Sequence, residues 1–450
     1  MTKLFGTDGM RGVAGRYPLD VSTVNKFGKA LSGLLQKLGG AGRPRVVLGE
    51  DTRESSGGIS EVLAASLEAS GADVTYAGVI TTPGVAFLVR HLGFSAGIMV
   101  SASHNPYQDN GIKVFAGTGL KLSEIHELEI EQALKRRQSA AGPLSRKPLA
   151  AEPGLLDHYL RYLQSILPGN LPSLKGHLVV DCAHGSASRV LPTLLKNLGI
   201  EAHILNASPN GRNINYLSGS LFPERMSQET LACGAELGVA LDGDADRAIF
   251  ATADGRIADG DHILYAVAPY FERNRKLKGR TVVGTLMTNL GLEIALARFG
   301  ISVKRTAVGD KYILEEILRS GYDLGGEPSG HIIFADLSLV GDGIITLLQV
   351  LRVIAETGTS FTELVSGLKQ FPQMIRNVPV REKRPLESLP EVTRAIEAGQ
   401  NALGNRGRII VRYSGTERLA RVMVEAEDAE AVERQAARIA GAIELAIGSE

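Results

Sequence analysis

The sequence has little cysteine, no excess charge of either sign and no long apolar run. Its two cysteines are too few for a disulfide framework, and neither stands at a spacing typical of a metal site. Lysine plus arginine equals aspartate plus glutamate, at 49 each, so the overall charge favours neither a nucleic-acid nor a membrane partner. No run approaches about 18 apolar residues, and the opening MTKLFGTDGM has no signal-peptide core. We therefore expect a cytoplasmic protein.

Short apolar strands alternate with helical patterns over most of the 450 residues. Strand–helix–strand units begin at RPRVVLGED, at GHLVVDCAHG and at GRTVVGTLMT. Near-continuous apolar strands separated by such helices indicate parallel sheets covered by helices. Stretches rich in proline and charge at 139–154 and 371–390 look like linkers. Two strands and a long helix from Ala429 follow the second stretch and predict a small α+β domain.

The predicted fold class is therefore α/β, with three similar α/β domains built on mixed or parallel sheets and a C-terminal α+β domain. The predicted domain boundaries are 1–153, 154–253, 254–368 and 369–450. Each domain contains one polar loop that interrupts an apolar pattern, and these four loops are the candidates for chemistry.

The clearest candidate for a metal site is the loop in GVALDGDADRAIF. Asp242, Asp244 and Asp246 stand at alternate positions after a buried strand. Two carboxylates about 4 Å apart repel by ~4 kcal/mol at an effective dielectric near 20, and a hard divalent cation removes that cost. An EF-hand would need glycine and glutamate where Arg247 and Ala253 stand, so the pattern favours Mg²⁺ over Ca²⁺. A solvated acidic turn is the alternative.

A second loop, SASHNPYQDNGIK, follows the apolar run that begins at Gly97. Ser103 beside His104 suggests a hydrolase, but the sequence has no G-x-S-x-G elbow. A serine that accepts a phosphoryl group fits better with an aspartate-bound metal, and Lys113 could supply positive charge to that phosphate. On its own, this loop favours a capped turn over a catalytic one, and the aspartate loop reverses that preference.

A third loop, GGEPSGH, offers a carboxylate, a hydroxyl and an imidazole at alternate positions, Glu327, Ser329 and His331. Such groups suit the neighbouring hydroxyls of a sugar, although an ordinary polar turn would look the same.

A fourth loop, VRYSGTERLAR, combines guanidinium groups, hydroxyls and a glycine, a set that suits a dianionic phosphate. A solvated basic turn is the alternative. No Walker pattern accompanies it, because GRTVVGT has Thr285 where lysine would be required, so ATP hydrolysis is not indicated. The candidate phosphate ligands are Arg412, Ser414, Gly415, Thr416 and Arg421.

Five motifs in this order resemble those of the α-D-phosphohexomutases: FGTDGMRG, SASHNP, DGDADR, GEPSGH and RYSGTE. The resemblance runs through nearly the whole chain. It implies the four predicted domains around a central cleft, one Mg²⁺ and a serine that is phosphorylated in the active enzyme. The passages VGTLMTNLGLEIAL and RTAVGDKYILEE are most similar to the bacterial branch that acts on glucosamine phosphate.

Several site residues carry roles implied only by this resemblance. Ser103 matches the phosphoserine, which would also be a metal ligand beside Asp242, Asp244 and Asp246. Lys113 matches a lysine near the transferring phosphate, and Arg11 matches an N-terminal active-site arginine. His104 lies inside the serine motif and is a further candidate for catalysis. Sugar and phosphate contacts are implied for Arg247, Glu327, Ser329, His331, Arg412, Ser414, Gly415, Thr416 and Arg421.

Two positions depart from the common pattern of the glucosamine-phosphate branch. Pro328 stands where glutamine is common, and because proline lacks an N–H and fixes φ, it could alter sugar preference. Arg418 stands where proline is common, and its added positive charge should not harm phosphate binding.

The resemblance implies an enzyme that interconverts glucosamine 6-phosphate and glucosamine 1-phosphate and supplies UDP-N-acetylglucosamine synthesis. A phosphoserine and a glucosamine 1,6-bisphosphate, which also serves as activator, would carry the phosphoryl group. A small-molecule sugar phosphate is thus the expected partner, and a homodimer is possible within the family. The alternatives are a phosphoglucomutase or phosphomannomutase, a non-catalytic sugar-phosphate sensor and, most remotely, a serine hydrolase.

Overall fold

The computed structural model describes residues 4–6, 9–39, 42–136, 148–167, 177–414 and 417–449. The chain divides into two compact units. The first consists of Met1–Met287 with Val303–Val365, and the second of Thr288–Ser302 with Ser366–Glu450.

The first sheet of the first unit has six strands: β1 (Phe5–Gly6), β2 (Gly9–Val13), β3 (Arg45–Glu50), β4 (Asp73–Val79), β5 (Ala96–Val100) and β6 (Asp109–Ala116). Its helices are α1 (Val21–Gly39), α2 (Ser56–Glu68), α3 (Thr82–Leu92) and α4 (Glu124–Arg136). The strand order is β1-β2-β6-β5-β3-β4, in which β3 runs parallel to β4 and β5 while β6 is antiparallel to β5 and β2. Both faces are buried: Val46 and Leu48 pack in one apolar cluster and Val47 in another.

The second sheet contains β7 (Leu178–Asp181), β8 (Ala202–Leu205), β9 (Leu237–Leu241), β10 (Ala248–Thr252) and β11 (Ile257–Ala258). Its helices are α5 (Leu155–Ile166), α6 (Ala187–Asn197) and α7 (Glu224–Ala232). The strand order is β11-β10-β9-β7-β8, with β7 parallel to β8 and β9. Strands β9 and β10 are antiparallel, and Leu241 pairs with Ala248. The segment 242–247 is therefore a tight turn at the carboxyl end of a buried parallel strand.

The next elements are α8 (Gly260–Arg273), β12 (Thr281–Thr285), α9 (Leu290–Ala297), β13 (Ser302–Thr306), α10 (Asp310–Ser320), β14 (Leu324–Gly326), β15 (Ile332–Phe334), α11 (Gly343–Thr357) and α12 (Phe361–Val365). They include the third sheet, ordered β13-β12-β14-β15. Helix α8 begins at a capping box in which Asp259 and His262 satisfy each other's backbone N–H. The turn between the antiparallel strands β14 and β15 carries the GEPSGH motif.

The second unit consists of α9 with β16 (Gln373–Pro379), α13 (Pro390–Leu403), β17 (Gly407–Tyr413), β18 (Leu419–Ala426) and α14 (Ala429–Ile447). Its sheet is antiparallel, in the order β16-β18-β17. Helix α9 belongs here because buried Glu425 accepts the backbone N–H of Leu290 at 2.9 Å. The same carboxylate pairs with Arg408 at 2.6 Å.

The predicted fold class is confirmed: three mixed α/β sheets precede a C-terminal antiparallel α+β unit. The linker predicted at 371–390 is wrong, because β16 occupies much of it and pairs with β18 over seven residues. The sequence did not indicate this strand, because it contains a charged residue and only one of its seven residues is fully buried. Helix α13 was not predicted either. Most of the first linker, 139–147, lies outside the described residues.

Short 3₁₀ turns complete the description, at Gly219–Leu221, Lys278–Arg280, Leu386–Ser388 and Gly404–Arg406. Across the described ranges, no helix combines the length and apolar character that crossing a bilayer needs. The four domain boundaries stay a prediction.

Candidate active site

Three carboxylates meet in the turn between β9 and β10. Asp242, Asp244 and Asp246 each offer an oxygen atom, and these oxygens lie within 4.8 Å of one another. All three side chains are buried, because the strands on both sides of the turn are wholly buried and apolar. Asp244 Oδ1 accepts no hydrogen bond from the described residues.

The negative charge of this turn is only partly balanced. Burial and the neighbouring Asp246 and Asp244 raise the pKa of Asp242 well above its ordinary value. Lys113 Nζ, from β6, donates to Asp244 Oδ2 at 2.8 Å and to Asp246 Oδ2 at 3.3 Å. Thr82 Oγ1 also donates to Asp244. The guanidinium of Arg247 lies 3.8 Å from Asp246 Oδ1, so two positive charges face three carboxylates.

A hard divalent cation fits this donor set. The carboxylate donors are all oxygens, the site is anionic, and Asp244 carries a buried oxygen that accepts no hydrogen bond within the described part of the chain. The turn of Asp242, Asp244 and Asp246 is therefore a metal-binding group.

Ser103 lies directly beside this group. It is fully buried in the turn between β5 and β6, and its Oγ donates to Asp242 Oδ2 at 2.6 Å. Its backbone has φ of 53°, in the left-handed region that non-glycine residues rarely adopt. The turn 242–247 is hereafter the metal loop, and residues 101–109 are the serine loop. A Cβ added to Gly243 would lie 2.6 Å from Ser103 O, so glycine is required where these two loops meet.

His104 completes the surroundings of the serine hydroxyl. Its Nδ1 lies 3.2 Å from Ser103 Oγ. Burial, and then the positive charges of Arg247 and Arg11, lower the pKa of His104 to about 4. The imidazole is therefore neutral near pH 7 and able to accept a proton. Arg11 reaches the site from β2, where it pairs with Gly111 of β6.

Arg247 is the last residue of the metal loop. Its Nε lies 3.8 Å from Asp246 Oδ1, is buried and makes no hydrogen bond to a described residue. A guanidinium so placed offers a donor to an anionic ligand.

The GEPSGH turn leaves the side chains of Glu327 and Ser329 at least partly exposed, whereas it buries His331. Glu327 is half-buried, and its Oε1 accepts the backbone N–H of Gly309 at 3.1 Å. Ser329 is exposed. Pro328 contributes its carbonyl oxygen, which accepts the N–H of Gly260 at 3.1 Å.

His331, the third polar group, is buried behind the metal loop. Its Nδ1 lies 4.0 Å from Asp246 Oδ2, and its Nε2 lies 3.6 Å from Asp310 Oδ2. The backbone N–H of Gly341 donates to Nε2 at 3.1 Å, which leaves the proton of a neutral ring on Nδ1, towards Asp246. The imidazole thus faces the carboxylates from the side of the third sheet.

The predicted phosphate-binding loop belongs to the second unit, where Arg412 of β17 and Arg421 of β18 are cross-strand partners. Like charges directly opposite each other destabilise a sheet unless an anion accompanies them. Glu417 lies 3.1 Å from Arg421 Nη2, and Lys383 Nζ donates to Ser414 O at 2.6 Å. The predicted ligands Gly415 and Thr416 fall outside the described residues.

Among the described residues, sequence reasoning missed polar side chains that contact the site, including Thr82, Arg53 and Asn215. Thr82 begins α3 and donates to Asp244, whereas Arg53 and Asn215 donate to the backbone of the serine loop. The signal for Arg53 was the polar run EDTRESS directly after a buried strand. Asn215 lies in the domain that carries the metal loop, more than a hundred residues from Ser103 in the chain, and no local pattern identifies it.

The whole chain matches known proteins. Domains I, II, III and IV of the phosphoglucomutase/phosphomannomutase family match residues 2–141, 157–255, 259–371 and 376–442. A phosphoglucosamine mutase of Solibacter usitatus is 47% identical over 99% of both chains. A phosphoglucosamine mutase of Koribacter versatilis is 49% identical over 99% of this chain and 97% of its own.

The fold has solved counterparts as well. The crystal structure of a phosphoglucomutase/phosphomannomutase family protein from Burkholderia thailandensis superimposes with a TM-score of 0.80 at 23% identity, over 99% of this chain and 97% of the other. The resemblance seen in the five motifs is confirmed over the full length. The chain belongs to the phosphoglucomutase/phosphomannomutase family.

Proposed function

We propose that the protein interconverts glucosamine 6-phosphate and glucosamine 1-phosphate through a phosphorylated Ser103. The observation that carries this proposal is the 2.6 Å contact between Ser103 Oγ and Asp242 of the metal-binding group. A hydroxyl held against a site for a hard cation is suited to exchange a phosphoryl group. The amino sugar is supported by full-length relatives described as phosphoglucosamine mutases.

Mg²⁺ is the proposed metal, and Asp242, Asp244, Asp246 and the phosphate on Ser103 would hold it. When bound, it would neutralise charge on the transferring phosphoryl group. Lys113 adds a fixed positive charge on the same side, because its ammonium group is buried against Asp244 and Asp246. Catalysis is then mostly positioning and electrostatic stabilisation.

The reaction consists of two phosphoryl transfers. In the first, the bond from phosphorus to Ser103 Oγ breaks, a bond to the free hydroxyl oxygen of the sugar phosphate forms, and the hydroxyl proton passes to a base. In the second, the other phosphoryl group of the 1,6-bisphosphate returns to Ser103 Oγ, and the sugar oxygen regains a proton. Two candidates can take this proton: His104, whose Nδ1 lies 3.2 Å from Ser103 Oγ but whose lowered pKa makes it a weak base, and Lys113, which would first have to lose its bonds to Asp244 and Asp246.

The remaining roles concern binding. Arg247 would contact a phosphate of the bisphosphate, while Glu327 and Ser329 would bind sugar hydroxyls and His331 would support that side of the site. The non-reacting phosphate would be held by Arg412, Ser414, Gly415, Thr416 and Arg421. We further propose glucosamine 1,6-bisphosphate as the activator, a homodimer, and a cytoplasmic location that suits the free thiols of Cys182 and Cys233.

A substrate panel tests this function. With Mg²⁺ and a trace of the matching 1,6-bisphosphate, we expect glucosamine phosphate to have a kcat/KM at least about tenfold above glucose and mannose phosphates. Phosphate NMR distinguishes the 1- and 6-phosphates directly. Pro328→Gln is the matched variant, because it restores the residue common in the glucosamine-phosphate branch. If glucose or mannose phosphate leads, the proposed substrate is wrong and the variant tests whether Pro328 is the reason.

A further inference from the structure

Two buried side chains, those of Arg53 and Asn215, donate hydrogen bonds to the backbone of the serine loop. Arg53, which follows β3, donates from Nη2 to Ser103 O at 2.9 Å and to Asn105 O at 2.9 Å. Asn215, from the domain of the metal loop, donates from Nδ2 to the same two oxygens, at 2.8 and 3.0 Å. Each carbonyl therefore receives one hydrogen bond from each side chain.

Arg53 also holds the rest of this loop. Its Nη1 donates to the carbonyl oxygens of Pro106 and, at 3.1 Å, Asp109. Its Nε pairs with Asp51 Oδ2 at 2.8 Å, and neither of these two side chains is exposed. Asp51 in turn accepts Ser101 Oγ at 2.7 Å. One guanidinium thus connects four loop carbonyls to the carboxyl end of β3.

A buried ion pair of this kind contributes little net stability, because desolvation of both charges offsets their attraction. The backbone geometry that the pair of Arg53 and Asp51 imposes on the serine loop is more informative. Ser103 is kept in a left-handed conformation that non-glycine residues rarely adopt, and in that conformation its Oγ donates to Asp242. A strained conformation persists where the surroundings fix it at several points.

Asn215 connects the same loop to the metal loop. Its own φ is 58°, its backbone N–H donates to Ala183 O at 2.9 Å, and its Nδ2 would lie 2.9 Å from a Cβ on Gly243. The amide therefore sits against both the serine loop and the turn that carries the carboxylates. Its two hydrogen bonds fix the serine relative to the metal ligands.

From these contacts we infer that Arg53 and Asn215 are positioning residues for phosphoryl transfer. Their four hydrogen bonds to the carbonyls of Ser103 and Asn105 are called the clamp below. The clamp keeps Oγ in one place relative to Asp242 whether or not it carries phosphate. Both side chains are buried and bond to the backbone of the serine loop, so we expect the clamp to act on the transfer step and not on substrate binding. This inference rests on the proposed function.

The test uses Arg53→Lys and Asn215→Ala in the full-length protein. Lysine keeps the charge beside Asp51 but loses the planar fork, and alanine removes the amide without removing a charge. We expect kcat to fall about tenfold or more in each variant, with KM changed less than about threefold, because the lost interaction orients a reacting atom. Amide hydrogen exchange of the peptide 101–109 should become faster in both variants, and that of other peptides should not.

Exposed Arg212, which pairs with Glu54, provides the matched control. Arg212→Lys should leave kcat, KM and exchange unchanged. The clamp is refuted if kcat stays within twofold of the wild type, if KM rises instead of kcat falling, or if exchange accelerates throughout the chain. If Arg53→Lys does not fold, Asn215→Ala decides by the same criteria. If the wild type turns over no sugar phosphate, the proposed function is refuted and the positioning role in phosphoryl transfer falls with it. Faster exchange at 101–109 in the variants would then show only that the two side chains hold the serine loop.

Discussion

Replacing Ser103 with alanine is expected to lower kcat for glucosamine phosphate by at least about a thousandfold. Ser103 Oγ is the proposed atom that carries the phosphoryl group, and it is the hydroxyl that contacts Asp242 at 2.6 Å. Alanine removes that oxygen with little change in volume, so the fold should survive. The measurement is steady-state turnover with Mg²⁺ and the 1,6-bisphosphate, together with the thermal unfolding midpoint.

The control for this variant is Ser165→Ala. Ser165 is an exposed serine of α5 whose hydroxyl donates to Tyr162 O. It should leave kcat within about twofold, since surface substitutions of this kind have small effects. A Ser103→Ala protein that kept more than a tenth of wild-type turnover would show that the phosphoryl group does not pass through this serine.

Replacing Asp242 with asparagine should have the second-largest effect. Without the carboxylate, the cation loses a ligand, and we expect kcat to fall by about a hundredfold or more. In the metal-free protein, the same substitution should raise the stability of the fold. Repulsion within the buried carboxylate cluster is relieved, which at ~4 kcal/mol per close pair is enough to raise its unfolding midpoint by a few degrees.

The measurement compares unfolding midpoints with Mg²⁺ and with a chelator. Wild-type protein should gain stability with Mg²⁺, because a ligand that binds only the folded state stabilises it. Asp242→Asn should gain little, whereas Asp254→Asn, in an exposed turn where Asp254 pairs with Arg256, should behave as the wild type does. Equal Mg²⁺ responses in Asp242→Asn and wild type would contradict the metal site.

The chemistry of this site could be predicted from sequence where it is carried by local runs of residues. Asp242, Asp244 and Asp246 stand within five residues after an apolar strand, and the structure brings them together because that strand ends in a tight turn. The proximity of Ser103 to Asp242 could be expected only from the combination of motifs, since 139 residues separate them in the chain.

Other features could not be predicted, for physical reasons. Asn215 acts on backbone atoms of a distant loop, and hydrogen bonds to carbonyl oxygens impose no recognisable sequence pattern. Strand β16 was mistaken for a linker because only Val378 of its seven residues is fully buried, so a strand held by pairing with β18 leaves a weak apolar pattern. His331 lies in a motif that suggested sugar contact, yet burial places it behind Asp246, a position that depends on the packing of Gly341 against its ring.

The central claim is that a phosphoryl group moves between Ser103 and the sugar, and label transfer tests it most directly. Enzyme carrying radioactive phosphate on Ser103 would be mixed with excess unlabelled glucosamine 6-phosphate and quenched within one turnover. The account predicts that label leaves the protein and appears in the 1,6-bisphosphate and then in glucosamine phosphate, in amounts equal to the labelled enzyme. Label that stays on Ser103, or that is released only as inorganic phosphate, would contradict it.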